Sequence, residues 1–318
     1  MSLVGRADEL RDAHRLIRPY IHRTPILTSA TLDRLSGRSL FFKCENFQRV
    51  GAFKARGAFH ALLKLSAEEK KHGVVTHSSG NHGQAIALAG RTLDIPTTVV
   101  VPRNAPKVKR DAMRDYGATL VLCEPTQAAR ESMVRDLVLA HHYVEIPPFD
   151  HDDVILGQGT AALELLEDVP LLDAVIAPVG GGGLLAGCAI AASLYGAHVL
   201  GAEPAQADDT KRSLDAGKRI TLDAVNTIAD GVRTSVGVRN FAIIAQGVSD
   251  VICIEENEIV NAMRLLWERM KIVVEPTAAL PLAAVLKTSI DVTGQRVGLI
   301  VSGGNVDVDA FFQTALSA

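Results

Sequence analysis

The amino-acid sequence predicts an α/β protein with two doubly wound domains, each built on a mainly parallel sheet. Apolar, β-branched runs alternate with helix-like stretches along the chain, which is the pattern of repeated strand and helix units. The runs are apolar throughout, as expected for parallel strands that helices cover on both faces. About ten such units are more than one compact sheet holds, so we expect two sheets.

The individual elements follow from the same pattern. A β-like run lies at residues 40–44. Strands buried on both faces are predicted at residues 74–76, 97–101, 119–122, 174–177, 199–202 and 297–301. Helices are predicted between them at residues 83–91, 106–116, 128–140, 157–166 and 256–270. Strands joined through helices in this way pair as parallel neighbours.

A break at Pro147-Pro148 divides these units between the two domains. Residues 72–145 contain three or four strand and helix units, and the two prolines end that series. We therefore predict a small domain at residues 66–149, inserted into a large domain formed by residues 1–65 and 150–318.

Charge and composition argue against two classes of partner. The chain has 318 residues, of which 47% are hydrophobic and 22% are charged, so it can bury a large core. The net charge is −3 and no basic block is longer than Lys70-Lys71, which argues against nucleic-acid and membrane-surface partners. Small anionic metabolites are compatible with this balance.

The cysteines and the apolar stretches predict a cytoplasmic protein. The N-terminus has no apolar stretch of signal-peptide length. Residues 174–202 carry no Asp, Glu, Lys or Arg, but Pro178 and four glycines would break a membrane-spanning helix there. Four widely spaced cysteines form no C-x-x-C pair and indicate free thiols: Cys44, Cys123, Cys188 and Cys253.

Lys54 is the first candidate for a catalytic residue. It follows Phe53 in a glycine-flanked elbow, residues 49–58, between the β-like run and a helix. Such an elbow can present a reactive amine to a flat aldehyde cofactor. A solvated lysine at a helix start is the ordinary explanation of this segment, so the interpretation depends on three other loops.

The loop at residues 78–83 follows a predicted strand and carries donors for an anion. In open α/β sheets, ligands bind where strands end and helices begin. The hydroxyls of Ser78 and Ser79, the Asn81 amide, the His82 imidazole and exposed backbone N–H groups suit a carboxylate or a phosphate. An ordinary N-cap with a glycine turn is the alternative.

Four successive glycines directly follow the strand predicted at residues 174–177. Gly180, Gly181, Gly182 and Gly183 leave unobstructed amides at a helix N-terminus, which predicts a phosphate-binding loop. The spacing Gly181-x-Gly183-x-x-Ala186 also fits a dinucleotide fingerprint, with Glu203 in the position of a ribose-binding acid. An NAD-dependent oxidoreductase is therefore the alternative from a different class.

Ser302 follows the last predicted strand and precedes Gly303-Gly304. Its hydroxyl would point from the strand end towards the same crevice, although a plain turn that begins with serine also fits. Together the four segments offer an amine for a Schiff base, a phosphate loop, an anion loop and a hydroxyl. These groups are the ones that bind pyridoxal 5′-phosphate.

Several uncommon motifs occur in matching order over nearly the whole length and carry a family resemblance. They include Ala52-Phe53-Lys54, the loop from Ser78 to Gly83, the glycine quartet, residues 202–204 with 207–209, residues 228–232, Glu275-Pro276-Thr277-Ala278 and Ser302-Gly303-Gly304-Asn305. The chain resembles the tryptophan-synthase-β-like class (fold type II) of pyridoxal-phosphate enzymes, and within it the serine racemase and threonine/serine dehydratase group. The resemblance implies a cofactor in the crevice between the two domains and a homodimer.

The resemblance also implies which residues bind the cofactor. Lys54 would hold it as a Schiff base, with Phe53 packed near its ring. Asn81 would bond the ring hydroxyl, and the glycines Gly180 to Gly183 would bind the phosphate. Ser302 would contact the pyridine nitrogen. A neutral serine partner would leave that nitrogen largely unprotonated, which favours elimination over transamination.

A reaction follows from the same resemblance. Ser78, Asn81 and His82 would receive the substrate α-carboxylate, and Lys54 would remove the α-proton so that a β-hydroxyl leaves as water. Substrates such as L-threonine and L-serine would give 2-oxo acids and ammonia. Ser79 matches the serine that returns a proton on the opposite face in racemases, so we expect serine racemase capacity as well.

Two features leave the preferred substrate open. Ala52 stands where many dehydratases have serine, and residues 46–54 are similar to the racemase branch that includes 3-hydroxyaspartate dehydratases. Arg130 matches an arginine near the substrate region of that group and could bind a second carboxylate, although a surface arginine also fits. A threo-3-hydroxyaspartate dehydratase is the competing activity, and a non-catalytic metabolite-binding protein that kept the fold is a further hypothesis.

Glu203, the Ala207 carbonyl and Asp209 form a candidate cation site. Two carboxylates six residues apart around a turn, with a carbonyl between them, suit Mg²⁺, Ca²⁺ or Mn²⁺ completed by water, and a solvated acidic turn is the alternative. The racemase-like group places a divalent ion at such positions, which favours the metal. Nucleotide regulation is also known in that group, and Arg269 and Lys271 are the candidate residues.

Overall fold

The structure is a computed structural model of the chain that describes residues 3–222, 224–287 and 295–307. Its strands form two separate sheets, which confirms the predicted α/β class with two domains and mainly parallel sheets. The predicted domain boundaries, after residues 65 and 149, stay a prediction. Residues 308–318 of the predicted large domain lie outside the described ranges.

The described strands are β1 (Ile26–Leu27), β2 (Ser39–Cys44), β3 (Val74–His77), β4 (Thr97–Pro102), β5 (Thr119–Cys123), β6 (Val144–Glu145), β7 (Ala174–Pro178), β8 (His198–Pro204), β9 (Asp250–Ile254) and β10 (Arg296–Val301). The helices of the first half are α1 (Ala7–Ile17), α2 (Ala30–Ser36), α3 (Lys54–Lys64), α4 (Ala67–His72), α5 (Asn81–Leu93), α6 (Lys107–Asp115) and α7 (Gln127–His141). Those of the second half are α8 (Asp152–Asp168), α9 (Gly183–Ala192), α10 (Asp209–Ala216), α11 (Val238–Gly247), α12 (Glu256–Leu265) and α13 (Pro276–Leu286). Short 3₁₀ turns at Val4–Arg6, Glu45–Phe47, Arg49–Gly51, Ala205–Ala207 and Asp230–Val232, and a π-helical turn at Leu266–Met270, complete the described elements.

The large sheet has the order β1-β2-β10-β7-β8-β9. All of its neighbours pair in parallel except β1, which is antiparallel to β2. Side chains alternate between its two faces: Ala174 and Ile176 pack with α12 and α13, whereas Val175 and Ala177 pack with α8 and α9. Helices therefore cover both faces, as the apolar strands predict.

The small sheet is parallel throughout and has the order β5-β4-β3-β6. β4 is buried along its whole length, as predicted. The prediction of burial on both faces is wrong for β5, because β5 lies at the edge of the sheet and residues 119–122 are exposed or half-buried. The short strands β1 and β6, and the longer β9, are not among the predicted elements.

The helix boundaries differ from the predictions for local reasons. α8 begins at Asp152 instead of residue 157, because the His151 side chain caps it by accepting the Asp153 N–H. The helix predicted to residue 270 is regular only to Leu265 and continues as the π-helical turn. No helix among the described residues is long and apolar enough to cross a membrane.

Glycine contacts fix helix α3, which begins with Lys54, tightly against α8. A Cβ atom on Gly157 would lie 2.6 Å from the Gly57 Cα atom, so only glycine allows this approach. The Gln158 side chain also accepts the Gly57 N–H at 3.1 Å. α3 is thereby held at a fixed distance from the large-domain core.

A buried ionic network also holds α3 in place. The Arg56 guanidinium is fully buried and donates to Glu45 at 2.7 and 2.8 Å and to Glu164 at 2.8 and 3.0 Å. Lys43 Nζ donates to Glu164 at 2.7 Å, so two cations and two carboxylates balance. Because each buried charge has an opposite partner, the network fixes the geometry around Lys54.

Candidate active site

The strand order brings the glycine loop and Ser302 together. β7 and β10 are parallel neighbours, with Ala174 opposite Val297 and Ile176 opposite Leu299. The carboxyl ends of parallel neighbours meet at one edge of a sheet, and this edge is where ligands bind. Residues 180–183 follow β7 and Ser302 follows β10 at that edge.

Backbone contacts tie Lys54 to the same edge. The Phe53 N–H donates to the Ser302 carbonyl oxygen at 3.0 Å, and Ala52 pairs with Gly303 in an antiparallel bridge. Lys54 is the first residue of α3, and its Nζ lies 5.1 Å from the centre of the Phe53 ring. The structure thus brings together the predicted residues Lys54, Phe53 and Ser302.

The Lys54 amine is held in a partly enclosed position. Its Nζ donates to the Pro148 carbonyl oxygen at 2.8 Å, a contact that sequence reasoning missed because backbone carbonyls leave no residue signature. Lys54 is half-buried as a residue, but burial of its amine lowers its pKa to about 8, and nearby Glu275 only partly opposes this. About a tenth of the amine is therefore unprotonated at pH 7, far more than for an ordinary lysine.

The predicted anion loop leads into helix α5. The Gly80 N–H donates to Ser78 Oγ at 3.2 Å, and α5 begins at Asn81. The first N–H groups of a helix have no partner within the helix and attract anions. Ser79 is half-buried, and within the described ranges its hydroxyl has no hydrogen-bond partner.

The His82 imidazole is not placed to donate a hydrogen bond to an anion. Its Nε2 lies 3.1 Å from the Ile146 carbonyl oxygen and therefore carries the ring proton, which leaves Nδ1 buried without a partner among the described residues. Burial, and next the charge of Lys54, lower the pKa of His82 to about 3, so the ring is neutral. The donor that His82 can offer to a carboxylate is its backbone N–H in the first turn of α5.

Glu275 is a buried residue of the site whose motif is visible in the sequence but whose role is not. Asn81 Nδ2 donates to both oxygens of Glu275, at 3.2 and 3.0 Å, and Asn305 Nδ2 donates to Asn81 Oδ1 at 2.9 Å. Burial, and next the charge of Asp230, raise the pKa of Glu275 to about 7. A charged residue between Val274 and Pro276, in an apolar segment, is the signal that could have identified it.

The glycine loop has the geometry of a phosphate-binding site. Gly180, Gly181 and Gly182 are buried, and among the described residues their N–H groups have no hydrogen-bond partner. Gly183 is the first residue of α9, so the partial positive charge of a helix N-terminus adds to these amides. A Cβ atom on Gly180 would lie 2.6 Å from Val232 Cα, which explains why a larger residue does not fit.

Ser302 has a buried hydroxyl without a partner. The residue is fully buried, and its Oγ makes no hydrogen bond among the described residues. Buried polar atoms are normally paired, so an orphaned hydroxyl at the sheet edge that also carries Lys54 and the glycine loop is consistent with a ligand contact there. An aromatic aldehyde with a phosphate and a ring nitrogen fits these groups, which is the chemistry of pyridoxal 5′-phosphate.

Arg130 lies beside the strand that leads into the anion loop. It is half-buried near the start of α7, and its Nε is buried without a partner among the described residues. Its charge helps burial to lower the pKa of His77, the residue before Ser78. Within the described part of the chain it forms no ion pair, and the structure does not bring its guanidinium into hydrogen-bond contact with the loop.

The candidate cation residues come together at the end of β8. Glu203 is fully buried and accepts the Lys211 N–H at 2.8 Å and the Thr210 N–H at 3.3 Å. Burial raises its pKa to about 8, with a contribution from the nearby charge of Asp209, whose own pKa burial raises to about 6. Among the described residues, no group of three His, Cys, Asp or Glu side chains forms a ligand set, so a cation here would also need the Ala207 carbonyl and water.

The NAD-dependent alternative does not fit this geometry. Glu203, its candidate ribose acid, is fully buried and both of its oxygens already accept backbone N–H groups. The fingerprint also leaves Lys54, Ser302 and the anion loop without a role. The glycine loop is therefore better explained as the phosphate site of a smaller cofactor.

Comparisons with known proteins agree with this geometry. Residues 17–303 match the sequence profile of the family described as pyridoxal-phosphate dependent enzyme. The chain is 49% identical over 310 residues to the serine racemase of Dictyostelium discoideum, with 95% of each protein covered. It is 45% identical over 312 residues to the L-threo-3-hydroxyaspartate ammonia-lyase of Saccharomyces cerevisiae, with 97% of this chain and 96% of that protein covered.

The same similarity extends to solved structures. The fold superposes on the structure of maize serine racemase with a TM-score of 0.94 and 42% sequence identity. This superposition covers 98% of the chain and 97% of that structure, so it includes both sheets and the edge at which the candidate residues meet.

Proposed function

This chain belongs to the family of pyridoxal-phosphate-dependent enzymes, and from that membership we propose that it eliminates water from β-hydroxy amino acids. Water then hydrolyses the resulting enamine to a 2-oxo acid and ammonia, so ammonia is the net loss. L-Threonine and L-serine are the proposed substrates, 2-oxo acids the products, and serine racemisation a second activity. The observation that carries the proposal is one lysine amine of lowered pKa beside two groups without partners in the described chain, the glycine-loop amides and the Ser302 hydroxyl.

The cofactor would be held by residues from both domains. Lys54 would bind its aldehyde carbon and the glycines Gly180 to Gly183 its phosphate, with Phe53 against the ring. Ser302 Oγ would face the ring nitrogen. Asn81 would offer the ring hydroxyl the second lone pair of its Oδ1, because its Nδ2 donates to Glu275. When bound, pyridoxal phosphate supplies the electron sink that makes the substrate α-proton acidic.

Proton transfer is the task of the chain's own side chains. Lys54 Nζ, with a pKa of about 8, can take the α-proton near neutral pH and return it to the leaving hydroxyl, which departs as water. Ser79 Oγ would supply a proton from the opposite face to give the D-amino acid. Its position in the anion loop, two residues before the start of α5, supports this role.

The substrate α-carboxylate would bind at the start of α5. Ser78, Asn81 and His82 are the proposed contacts, and His82 would contribute its backbone N–H because its imidazole is neutral and already paired.

The alternative substrate is threo-3-hydroxyaspartate, and Arg130 is the residue that would favour it. Its buried, partnerless Nε and its lack of an ion pair within the described ranges leave a cation available for a second carboxylate. A comparison of rates on L-serine, L-threonine and threo-3-hydroxyaspartate for wild type and Arg130→Ala tests this. Selective loss of hydroxyaspartate turnover supports the alternative, and an equal loss on all substrates contradicts it.

A divalent cation, Mg²⁺ or else Ca²⁺ or Mn²⁺, would bind Glu203, the Ala207 carbonyl and Asp209. The two carboxylates are close enough for the charge of Asp209 to raise the pKa of Glu203, and burial raises the pKa of both. A cation would supply a compensating charge and suits oxygen ligands.

We also propose an oligomeric state, an effector and a cellular location. A homodimer is supported by Phe47 and Val273, which are 48% and 56% exposed on segments that the Asn46 to Val273 hydrogen bond joins. A nucleotide effector would bind Arg269 and Lys271, which are exposed at the end of the π-helical turn. A cytoplasmic location is supported by the four free cysteines.

The proposed function is tested by assaying 2-oxo-acid and D-amino-acid formation on a panel of β-hydroxy amino acids. We expect turnover together with a yellow absorbance band that borohydride bleaches. Lys54→Ala should lose both the reducible band and the activity, whereas Lys64→Ala, at the other end of α3, should keep both. A colourless wild-type protein, or a yellow one without turnover on any member of the panel, would contradict the proposal.

A further inference from the structure

The glycine loop needs an external support to act as a phosphate site. Glycine has no Cβ and adopts positive and negative φ angles with similar ease, so a peptide between two glycines can turn over readily. Gly182 has a φ of +91°, and the peptide that precedes it joins Gly181 to Gly182. If this peptide turned over, a carbonyl oxygen would replace an N–H at the phosphate and repel it.

Two donors from the segment around the start of α11 fix the orientation of that peptide. The Gly181 carbonyl oxygen accepts the Gly237 N–H at 3.0 Å and the Asn240 Nδ2 at 2.5 Å. A trans peptide is planar, with its C=O and N–H pointing in opposite directions, and the described residues contain no cis peptide bond. The Gly182 N–H must therefore point away from α11.

The side chain of Asn240 is placed to hold the Gly181 carbonyl oxygen. It is fully buried in the first turn of α11, and its Nδ2 also lies 3.3 Å from the Phe149 carbonyl oxygen. Since Nδ2 faces two carbonyls, the orientation of the side-chain amide is settled. Its own Oδ1 is left buried without a partner among the described residues, so the side-chain hydrogen bonds that Asn240 makes there are those that Nδ2 donates.

We propose that Asn240 is a positioning residue that locks the Gly181–Gly182 peptide, so that the Gly182 N–H faces the cofactor phosphate. The inference rests on the proposed binding of the cofactor phosphate at this loop. Asn240, which lies outside the glycine motif, would thus preorganise the loop. It would set the affinity for the phosphate group of the cofactor and not for its pyridine ring.

The test compares two ligands that differ only in the phosphate. Cofactor-free full-length protein is titrated with pyridoxal 5′-phosphate and with pyridoxal, and the dissociation constants are measured for wild type, Asn240→Ala and Asn240→Leu. We expect an increase of roughly 10- to 100-fold in the constant for pyridoxal 5′-phosphate, the size of one misdirected charge-assisted hydrogen bond. The constant for pyridoxal should change less than about twofold, within ordinary context effects.

Ile244→Ala is the matched control. Ile244 is buried on the same helix, and its Cδ1 lies 3.0 Å from the position of a Cβ atom on Gly182. The substitution loosens the packing against the same glycine but leaves both hydrogen bonds to Gly181 intact. An equal loss of affinity for both ligands in Asn240→Ala, or the same selective loss in Ile244→Ala, would overturn the inference.

A second readout does not depend on the ring or on activity. Inorganic phosphate should raise the melting temperature of the cofactor-free wild type. Asn240→Ser should reduce that rise, and this variant keeps the test available if Asn240→Ala and Asn240→Leu do not fold. An unchanged rise would overturn the inference. Failure of the wild type to bind pyridoxal 5′-phosphate would instead overturn the proposed function, so the two failures are distinguishable.

Discussion

The side-chain amide of Asn81 donates to both carboxylate oxygens of Glu275, at 3.2 and 3.0 Å, across the two domains. Asn81 begins α5 beside the small sheet, whereas Glu275 precedes α13, which packs against the large sheet. The contact fixes the anion loop relative to the edge that carries Lys54 and Ser302. It also places a carboxyl group with a raised pKa at the centre of the site.

The first prediction concerns the pH dependence that Glu275 creates. Its pKa is about 7 in the folded state, against about 4.3 for an unperturbed glutamate. Between these values the folded state keeps a proton that the unfolded state has released, so stability falls as pH rises from about 4 to about 7. Glu275→Gln should remove at most about 4 kcal/mol of this fall in the cofactor-free protein.

Urea unfolding at pH values across that window measures the effect. Glu68→Gln, on the exposed first turn of α4, is the control and should leave the wild-type slope unchanged. If the free energy of unfolding of Glu275→Gln falls with pH as steeply as that of the wild type, the carboxyl group does not titrate as the structure indicates.

The second prediction concerns the orphaned hydroxyl of Ser302. Ser302→Ala removes a buried donor that has no partner among the described residues of the cofactor-free protein, so the free energy of unfolding of that form should stay the same or rise by up to about 1 kcal/mol. The holoenzyme loses a hydrogen bond, so cofactor affinity should fall by roughly 5- to 10-fold. Opposite changes in the two forms distinguish a ligand contact from a structural one.

Thr76→Val is the matched control for this prediction. Thr76 is also fully buried, and its Oγ1 also lacks a partner among the described residues, but it lies within β3 and has no proposed contact with the cofactor. Its substitution should leave cofactor affinity unchanged within about twofold. A similar loss of affinity in both variants would show that Ser302 acts through general packing.

The parts of the site that the sequence predicts are those that depend on strand ends. A glycine quartet after one apolar run and a serine after another meet because β7 and β10 are parallel neighbours, and local patterns identify both strands. The position of Lys54 is predictable for the same reason. The elbow that carries it follows β2, and β2 is the other parallel neighbour of β10.

Contacts between distant side chains are not predictable in the same way. The pair Asn81 and Glu275 depends on how the two domains sit against each other, and the hydrogen bond from Lys54 to Pro148 uses a backbone carbonyl. The support of Gly181 by Asn240 also requires the path of α11, which no local pattern fixes. The strand β9 is not among the predicted elements, although residues 251–254 form an apolar run of the same kind.

The third prediction separates elimination from racemisation. Ser79→Ala should abolish the formation of D-serine while L-serine dehydration stays within a few-fold of wild type, because only one of two opposed proton carriers is removed. Ser78→Ala is the control, since Ser78 Oγ accepts the Gly80 N–H and supports the loop that both reactions use. It should lower both activities together, as chiral analysis of the products can show. Equal loss of both activities in Ser79→Ala would contradict the two-base mechanism.

The fourth prediction concerns the cation site. Glu203 and Asp209 are buried carboxyl groups whose pKa values are raised by burial, so a divalent cation should stabilise the protein by replacing unfavourable protonation with favourable charge pairing. A chelator should therefore lower the melting temperature of wild type, and added Mg²⁺ should restore it.

Glu203→Gln should abolish this response. The melting temperature of its metal-free form should also depend less on pH than that of wild type, because the buried group no longer titrates. Asp208→Asn, which removes an adjacent carboxylate that pairs with Arg212 at the surface, should keep the full response to Mg²⁺. A melting temperature that chelator leaves unchanged in wild type would mean that Glu203, Ala207 and Asp209 form an acidic turn and hold no metal.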